Sequence, residues 1–271
     1  MAEVKKVSEL SGDFFILLKK ALTGLKIVSD DVAITDFQNG TVNISGMLYI
    51  DFIPENFVIH SENNSIMKVV DFPGVVKEIA DFSEEKGILE IEEYPEFYSI
   101  QIVSSEDGES ENNDFVNVII PKVEDEEFMN LRELLNESYE IADKKTVGDK
   151  FGKILEKTSD SVYFVLNEDN KLVAIATDRH LYLVDKGYSN VIKMARDLEN
   201  LPKGFKILQS SYIPQFKVAP ISDIEIYKNK DDETQFILGV KFIPKTLDKS
   251  DKKFSVNIYE PIQYTKEEDL I

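Results

Sequence analysis

The sequence predicts an α+β fold in which two similar domains, each with two helices packed on antiparallel sheets, follow one another along one chain. Three observations predict it. In Asp13–Ile50, Phe14, Leu18, Ala21, Leu22 and Leu25 form a one-faced apolar stripe at helical spacing. The runs Val32–Thr35 and Thr41–Ile44 follow, separated by the turn dipeptide Asn39-Gly40, and read as a hairpin. The same order returns at Gly148–Thr177, where Phe151, Ile154 and Leu155 make the stripe and Val162–Leu166 and Leu172–Thr177 the strands. Phe15 and Phe151 stand 136 residues apart, Val32 and Val162 130 apart, and Pro73 and Pro214 141 apart. Several features recurring in one order at nearly one offset indicate a duplication.

In chain order, a short strand around Glu3–Val7 precedes a helix over Gly12–Leu25 and strands through Ile34, Val42 and Leu48–Phe52. Pro54 turns the chain into strands Phe57–His60 and Ile66–Phe72. Pro73 then suits the first turn of a short helix, where a missing N–H costs nothing. The pair Ile88–Tyr94 and Phe97–Ser104, a polar tip at Asp107–Asn113 and a strand Phe115–Ile120 close the first domain, 1–120. Pro121–Asn136 reads as a connector, 121–136, with an acidic run and then Phe128, Met129, Leu131, Leu134 and Leu135. The second domain, 137–271, opens with a strand at Glu137–Asp143. Strands at His180–Asp185 and Tyr188–Met194 follow, then a charged loop at Arg196–Phe205 and a fourth helix at Leu208–Val218. Ile224–Tyr227, Phe236–Ile243 and Phe254–Glu260 complete it, before an acidic tail.

Composition narrows the function. The chain holds 31 Lys+Arg against 51 Asp+Glu, a formal net charge of −20, which repels nucleic acid when averaged over the whole surface. The acids cluster in turns, at Asp30-Asp31, Glu106–Glu111, Glu124–Glu127, Asp231–Glu233 and Glu267–Asp269, whereas lysines recur on the predicted helices. That sign asymmetry is hidden in the net charge. The absence of cysteine excludes disulfides and thiolate chemistry and fits a reducing cytosol. The N-terminus lacks the apolar core of a signal peptide, and no run reaches the ~20 apolar residues of a spanning helix. Three glycosylation sequons, at Asn43, Asn63 and Asn136, carry no meaning without secretion.

Catalytic motifs are missing. His60 and His180 lie in strand-like segments without metal-ligand spacing, and no phosphate-binding glycine loop or nucleophile elbow occurs. Asp107–Glu111 lacks the register of a calcium loop. The reading is a protein without metal, cofactor or catalytic site. Lys19, Lys20, Lys77, Lys150, Lys153, Lys157 and Lys217 carry more information, because they sit on corresponding helices of both repeats. Lysine suits phosphate contact without base readout, and no aromatic stacking platform adjoins these positions, which favours duplex over single strands. The plain alternative is that they are solvated helix surface.

Helix, meander, short helix and meander, twice over and joined by an acidic connector, resembles the DNA sliding clamps, specifically the two-domain kind typified by PCNA and the T-even-type phage clamps. The resemblance covers almost the whole chain. Gly148-Asp149-Lys150-Phe151 with Lys153-Ile154 is similar to the start of the second domain's basic helix in that family. Tyr259-Glu260-Pro261-Ile262 with Glu267-Glu268-Asp269 resembles its C-terminal strand and acidic tail, and Met47-Leu48-Tyr49 the strand that floors its partner pocket. The connector is longer and more acidic than the family's, and the Asp107–Asn113 and Asp185–Pro202 loops are departures.

The resemblance implies a homotrimeric ring around double-stranded DNA, with helices lining the hole and sheets outside, working as a DNA polymerase processivity factor without enzyme activity. The seven lysines would face the hole, and the strands at Phe115–Ile120 and after His180 would pair between subunits. DNA polymerase and clamp loader would bind by short peptide motifs to Met47, Tyr49, Met129, Leu131, Tyr259, Pro261 and Ile262, with Glu124–Glu127 attracting a basic flank. No membrane partner is implied, and the location would be cytoplasmic or nucleoid-associated, in a host cytoplasm if the source is a bacteriophage. Two alternatives stay open: an acidic structural or virion protein with duplicated β-rich domains, and an enzyme whose site the sequence does not display.

Overall fold

The computed structural model describes residues 4–27, 32–62, 66–83, 85–105, 117–123, 130–147, 161–177, 180–184, 188–191, 204–215, 221–242 and 254–264. The chain divides into two compact units, Met1–Met129 with Thr246–Val256, and Asn130–Lys245 with Asn257–Ile271.

Unit 1 contains β1 (Lys5–Ser11), α1 (Asp13–Leu25), β2 (Ala33–Asp36), β3 (Thr41–Ile44), β4 (Leu48–Phe52), β5 (Val58–Ser61), β6 (Ile66–Val69), α2 (Phe72–Phe82), β7 (Gly87–Glu93), β8 (Phe97–Ser105) and β9 (Asn117–Pro121). The strands run β5-β1-β7-β8-β9 in one antiparallel sheet and β4-β3-β2-β6 in another. α1 buries Phe14, Leu18, Ala21, Leu22 and Leu25, the whole predicted stripe, and adds Phe15, Leu17 and Gly24. Each fully buried Leu or Phe contributes roughly 1.5–3 kcal/mol. The core centres on Phe14, whose ring lies 5.0–6.0 Å from those of Phe15, Phe37, Phe52, Phe57 and Phe254. Asp71 starts α2 by accepting a hydrogen bond from the Gly74 amide, with Pro73 in the first turn.

Unit 2 contains α3 (Leu131–Ser138), β10 (Tyr139–Thr146), β11 (Val162–Leu166), β12 (Leu172–Ala176), β13 (His180–Leu183), β14 (Tyr188–Val191), β15 (Lys206–Ser210), β16 (Ile221–Asn229), β17 (Gln235–Phe242) and β18 (Phe254–Gln263), the first three residues of β18 belonging to unit 1. Its sheets run β14-β13-β12-β11-β15 and β10-β16-β17-β18.

The duplication is visible in these orders. The run β6-β2-β3-β4 of unit 1 is answered by β15-β11-β12-β13, and β1-β7-β8-β9 by β10-β16-β17-β18. One strand breaks the match: β5 lies beside β1, whereas β14 stays beside β13.

One expectation is corrected. The fourth helix at Leu208–Val218 is not formed, since Lys206–Ser210 is β15 and Ile213–Gln215 a single 3-10 turn. Leu208 and Ser210 are buried with Gln209 exposed between them, the alternation of a half-buried strand, and pairing with β11 satisfies the backbone. The apolar half of the connector is helical over Leu131–Ser138, because Asn130 caps it by accepting from the amides of Arg132 and Glu133. The second basic helix and the loops at Asp107–Asn113 and Glu124–Glu127 lie outside the described residues, as does most of the Asp185–Pro202 loop.

Candidate functional site

In unit 1, α1 and α2 pack against each other and carry three of the predicted phosphate-contacting lysines. Lys20 and Lys77 are exposed, as is Lys26, held in a left-handed conformation at the end of α1. Lys19 is half-buried and ion-paired to Asp81 of α2. A largely exposed pair of this kind contributes at most about 1 kcal/mol, but it sets a carboxylate against the Lys19 charge on α1. Glu78 is exposed on α2 as well, so the two-helix surface is of mixed sign. Lys150, Lys153, Lys157 and Lys217 lie outside the described residues.

The predicted peptide-binding residues divide between the units. Met47 is half-buried in the β3–β4 turn of unit 1, and Tyr49 is buried in β4 with its hydroxyl donating to the Gly46 carbonyl at 3.1 Å. In unit 2, Leu131 and Tyr259 are buried, Ile262 is half-buried and Pro261 is exposed. Met129 lies outside the described residues.

Around Tyr259 the structure forms a cleft of about 370 Å³ between α3 and the sheet, lined by Arg132, Leu135, Asn136, Tyr139, Ile141 and Tyr227 besides Tyr259 itself. The Arg132 guanidinium carbon stands 5.8 Å from the centre of the Tyr259 ring, within cation–π range. The rings of Tyr227 and Tyr259 meet edge to face, centres 6.3 Å apart. Tyr227 donates its hydroxyl hydrogen to Glu225 at 2.6 Å, and Lys144 pairs with the same carboxylate at 2.6 Å. Burial, then the bond to Glu225, pushes the Tyr227 phenol well above its ordinary value and keeps it neutral. The Glu225 bond raises Lys144 in turn, fixing its positive charge. Tyr139 donates to Gln235 at 3.3 Å.

Sequence reasoning singled out Tyr259 and missed its neighbours. Ile141 and Tyr227 are cross-strand partners in the β10–β16 ladder, and that register is not written in either segment alone. Among the described residues no group of three metal-ligating side chains occurs, and no helix is long and apolar enough to cross a membrane.

No protein-family model matches this chain, and no curated protein matches it by sequence. Solved structures that resemble it are DNA sliding clamps. The Sulfolobus tokodaii PCNA2–PCNA3 complex is 15% identical, with 97% of this chain and 99% of that one covered and a TM-score of 0.44. PCNA of A. fulgidus bound to the C-terminal region of FEN-1 is 14% identical at the same coverage and TM-score. The beta subunit of DNA polymerase III from Borrelia burgdorferi is 10% identical, with 96% of this chain and 64% of that one covered and a TM-score of 0.48. At these values the resemblance stands as a likeness and carries nothing about activity or partners.

Proposed function

We propose that this chain is a DNA sliding clamp, a non-enzymatic processivity factor that closes as a homotrimer around double-stranded DNA and tethers a DNA polymerase. The observation that supports it most is the repeated strand order, β6-β2-β3-β4 with β1-β7-β8-β9 against β15-β11-β12-β13 with β10-β16-β17-β18. Two such units per chain, three chains per ring, make six repeats. The outer strands β9 and β14 are the proposed pairing edges between subunits, and on β9 the side chain of Ile119 is 62% exposed. Lys19, Lys20, Lys77, Lys150, Lys153, Lys157 and Lys217 would meet the phosphate backbone without reading bases, while the acidic exterior disfavours DNA elsewhere. Tethering raises the polymerase's effective concentration at its template. The polymerase and clamp loader would dock peptides at Met47, Tyr49, Met129, Leu131, Tyr259, Pro261 and Ile262, with the unit 2 cleft as the anchor site. The protein would work in the cytoplasm or at the nucleoid.

Light scattering tests the assembly: three times the 30.9 kDa chain mass is expected, and a monomer at micromolar concentration sinks the ring. Replacing Lys150, Lys153 and Lys157 by glutamate should reduce retention on nicked circular duplex without unfolding the protein. Unchanged polymerase processivity in that variant would return the lysines to ordinary surface. The second reading, an acidic structural protein with no DNA role, is favoured by one observation, the pairing of Lys19 with Asp81. Sequence-independent, salt-sensitive retention on circular DNA excludes it.

A further inference from the structure

The two units pair their strands alike except at one place, and a shared irregularity aligns them residue by residue. In β1 an extra residue, Val7, interrupts the ladder with β7 between Lys6 and Ser8. In β10 the extra residue is Ala142, between Ile141 and Asp143 of the ladder with β16. Each is a β-bulge, two residues opposite one. Ser8, Glu9 and Leu10 therefore correspond to Asp143, Lys144 and Lys145. In unit 1 those three residues carry a second strand on their outer side, with Ser61, His60 and Val58 of β5 opposite them. The Ser8 hydroxyl donates to that of Ser61 at 3.3 Å across this ladder. In unit 2 no described strand pairs with the outer edge of β10. Lys171 and Leu172 reach it only at the bulge, donating to the Ala142 carbonyl and the Asp143 carboxylate. The counterpart of β5 is β14, and it lies on β13, with Leu181 opposite Asn190 and Tyr182 opposite Ser189.

An outer strand edge is a row of unpaired N–H and C=O groups, and folded chains keep such rows covered. With β14 on β13 the β10 edge is open, and with β14 on β10 the β13 edge is open. One strand cannot cover both. The β9 strand of a second copy supplies the missing one, since β9 is itself an outer strand with Ile119 62% exposed. We propose that β14 is a movable edge strand: it caps β13 in the isolated chain, and transfers to Asp143–Lys145 of β10 as the β9 strand of a second copy takes its place on β13. This rests on the proposed ring and refines its unit 2 edge from β14 to β13. The chain has the reach. Residues 53–57 take unit 1 from β4 to β5 on the other sheet, and 184–187 lie between β13 and β14, a span of up to about 3.5 Å per residue. Between β14 and β15 stand residues 192–205, against 62–65 between β5 and β6. The β13–β14 ladder runs only from His180 to Leu183, and short edge strands belong to the least stable parts of a fold. One edge ladder is exchanged for another, so the second copy supplies only the difference between them.

The chain holds no cysteine, so engineered pairs report the position of β14 without background. Asn190 lies opposite Leu181 in the β13 ladder. The duplication matches Asn190 to His60 and Lys144 to Glu9, which sets Asn190 opposite Lys144 once β14 has moved. Residues opposed in an antiparallel ladder have Cα atoms about 4.5–5.5 Å apart, within disulfide range. Non-reducing electrophoresis and light scattering of the oxidised proteins give the test. Leu181→Cys with Asn190→Cys should form its disulfide within single chains in dilute solution, and the locked protein should lose the assembly that the parent shows. Lys144→Cys with Asn190→Cys should form its disulfide within single chains too, increasingly as concentration rises, and keep that assembly. Oxidation traps even a minor state, so failure of the second pair to close while the first closes shows β14 fixed on β13 and overturns the proposal. Assembly of the first locked protein like the parent overturns it as well. A parent that is monomeric throughout removes the ring, and closure of the second pair then still decides whether β14 moves. Should either variant fail to fold when reduced, Tyr182→Cys with Ser189→Cys and Asp143→Cys with Val191→Cys are the neighbouring pairs of the same two ladders.

Discussion

Ser210 donates its hydroxyl hydrogen to the carboxylate of Glu260, fifty residues further along the chain, and both side chains are buried in unit 2. The second carboxylate oxygen accepts from the Tyr212 amide at 3.4 Å, and the Ser210 oxygen accepts from the Ile213 amide at 3.1 Å. The last strand is thereby tied to the turn that follows β15. Burial raises the Glu260 carboxyl above the ordinary value, and the hydrogen bonds from Ser210 and the turn amides only partly oppose it.

The sign of the pH dependence follows. A carboxyl whose folded-state pKa is raised binds its proton more tightly in the native protein than in the unfolded chain. Its contribution is therefore largest below the unfolded value of 4.5 and is lost as pH rises through the raised value. Glu260→Gln keeps the shape and removes the titration. The difference in unfolding free energy between variant and parent should shift in favour of the variant as pH rises from about 4.5 towards neutrality. Denaturant melts of both proteins across that range check it, and a pH-independent difference would show that the carboxyl titrates normally. Glu260→Ala, which strands the turn amides, should cost about 1–3 kcal/mol.

Phe14 is the hub of the aromatic cluster in unit 1, fully buried and in contact with rings from α1, the β2–β3 turn, β4, the segment before β5, and β18. Phe14→Ala should cost about 3–5 kcal/mol, with Phe14→Leu losing much less. Urea titration by circular dichroism measures both.

The Lys19–Asp81 pair gives the DNA reading a sharper test than deleting lysines. Asp81→Asn releases Lys19 and removes one repelling charge from the surface between α1 and α2. Retention on circular duplex should rise, and its logarithmic salt dependence should steepen. Stability should change by less than about 1 kcal/mol. Lys19→Gln should have the opposite effect on retention, and identical retention in all three proteins would place this surface away from DNA.

Gly40 closes the turn between β2 and β3 at φ +67°, with its carbonyl accepting from the Phe52 amide at 2.9 Å. A methyl group there would lie 2.2 Å from the Phe52 carbonyl oxygen. Both the backbone conformation and the space exclude a side chain, so Gly40→Ala should destabilise unit 1 by more than about 1 kcal/mol. A thermal midpoint within a degree of the parent would contradict this.

Much of the strand order was legible in the sequence because each strand carries its own alternation between a buried and a solvated face, as in Gly87–Glu93 and Phe254–Gln263. The stripe of α1 was legible for the same reason at helical spacing. The sequence predicts a helix from Leu208 because a run as short as Leu208–Ser210 fits either period, and only the ladder with β11 selects the strand. The cap of α3 by Asn130 was a readable signal that the acidic run before it obscured.

By itself the sequence determined the duplication and the antiparallel character of the sheets. These are properties of local pattern, carried by residues a few positions apart. Tertiary structure alone decided that Asp81 neutralises Lys19, that Ser210 holds Glu260, and that the Tyr227 and Tyr259 rings close over Gly239. Each of these depends on which strand or helix lies beside which, and in what register. A single-residue slip in a strand turns every side chain to the opposite face. The identity of one acid among 51, or of one glycine among 12, therefore acquires meaning only when the sheet places it opposite its partner.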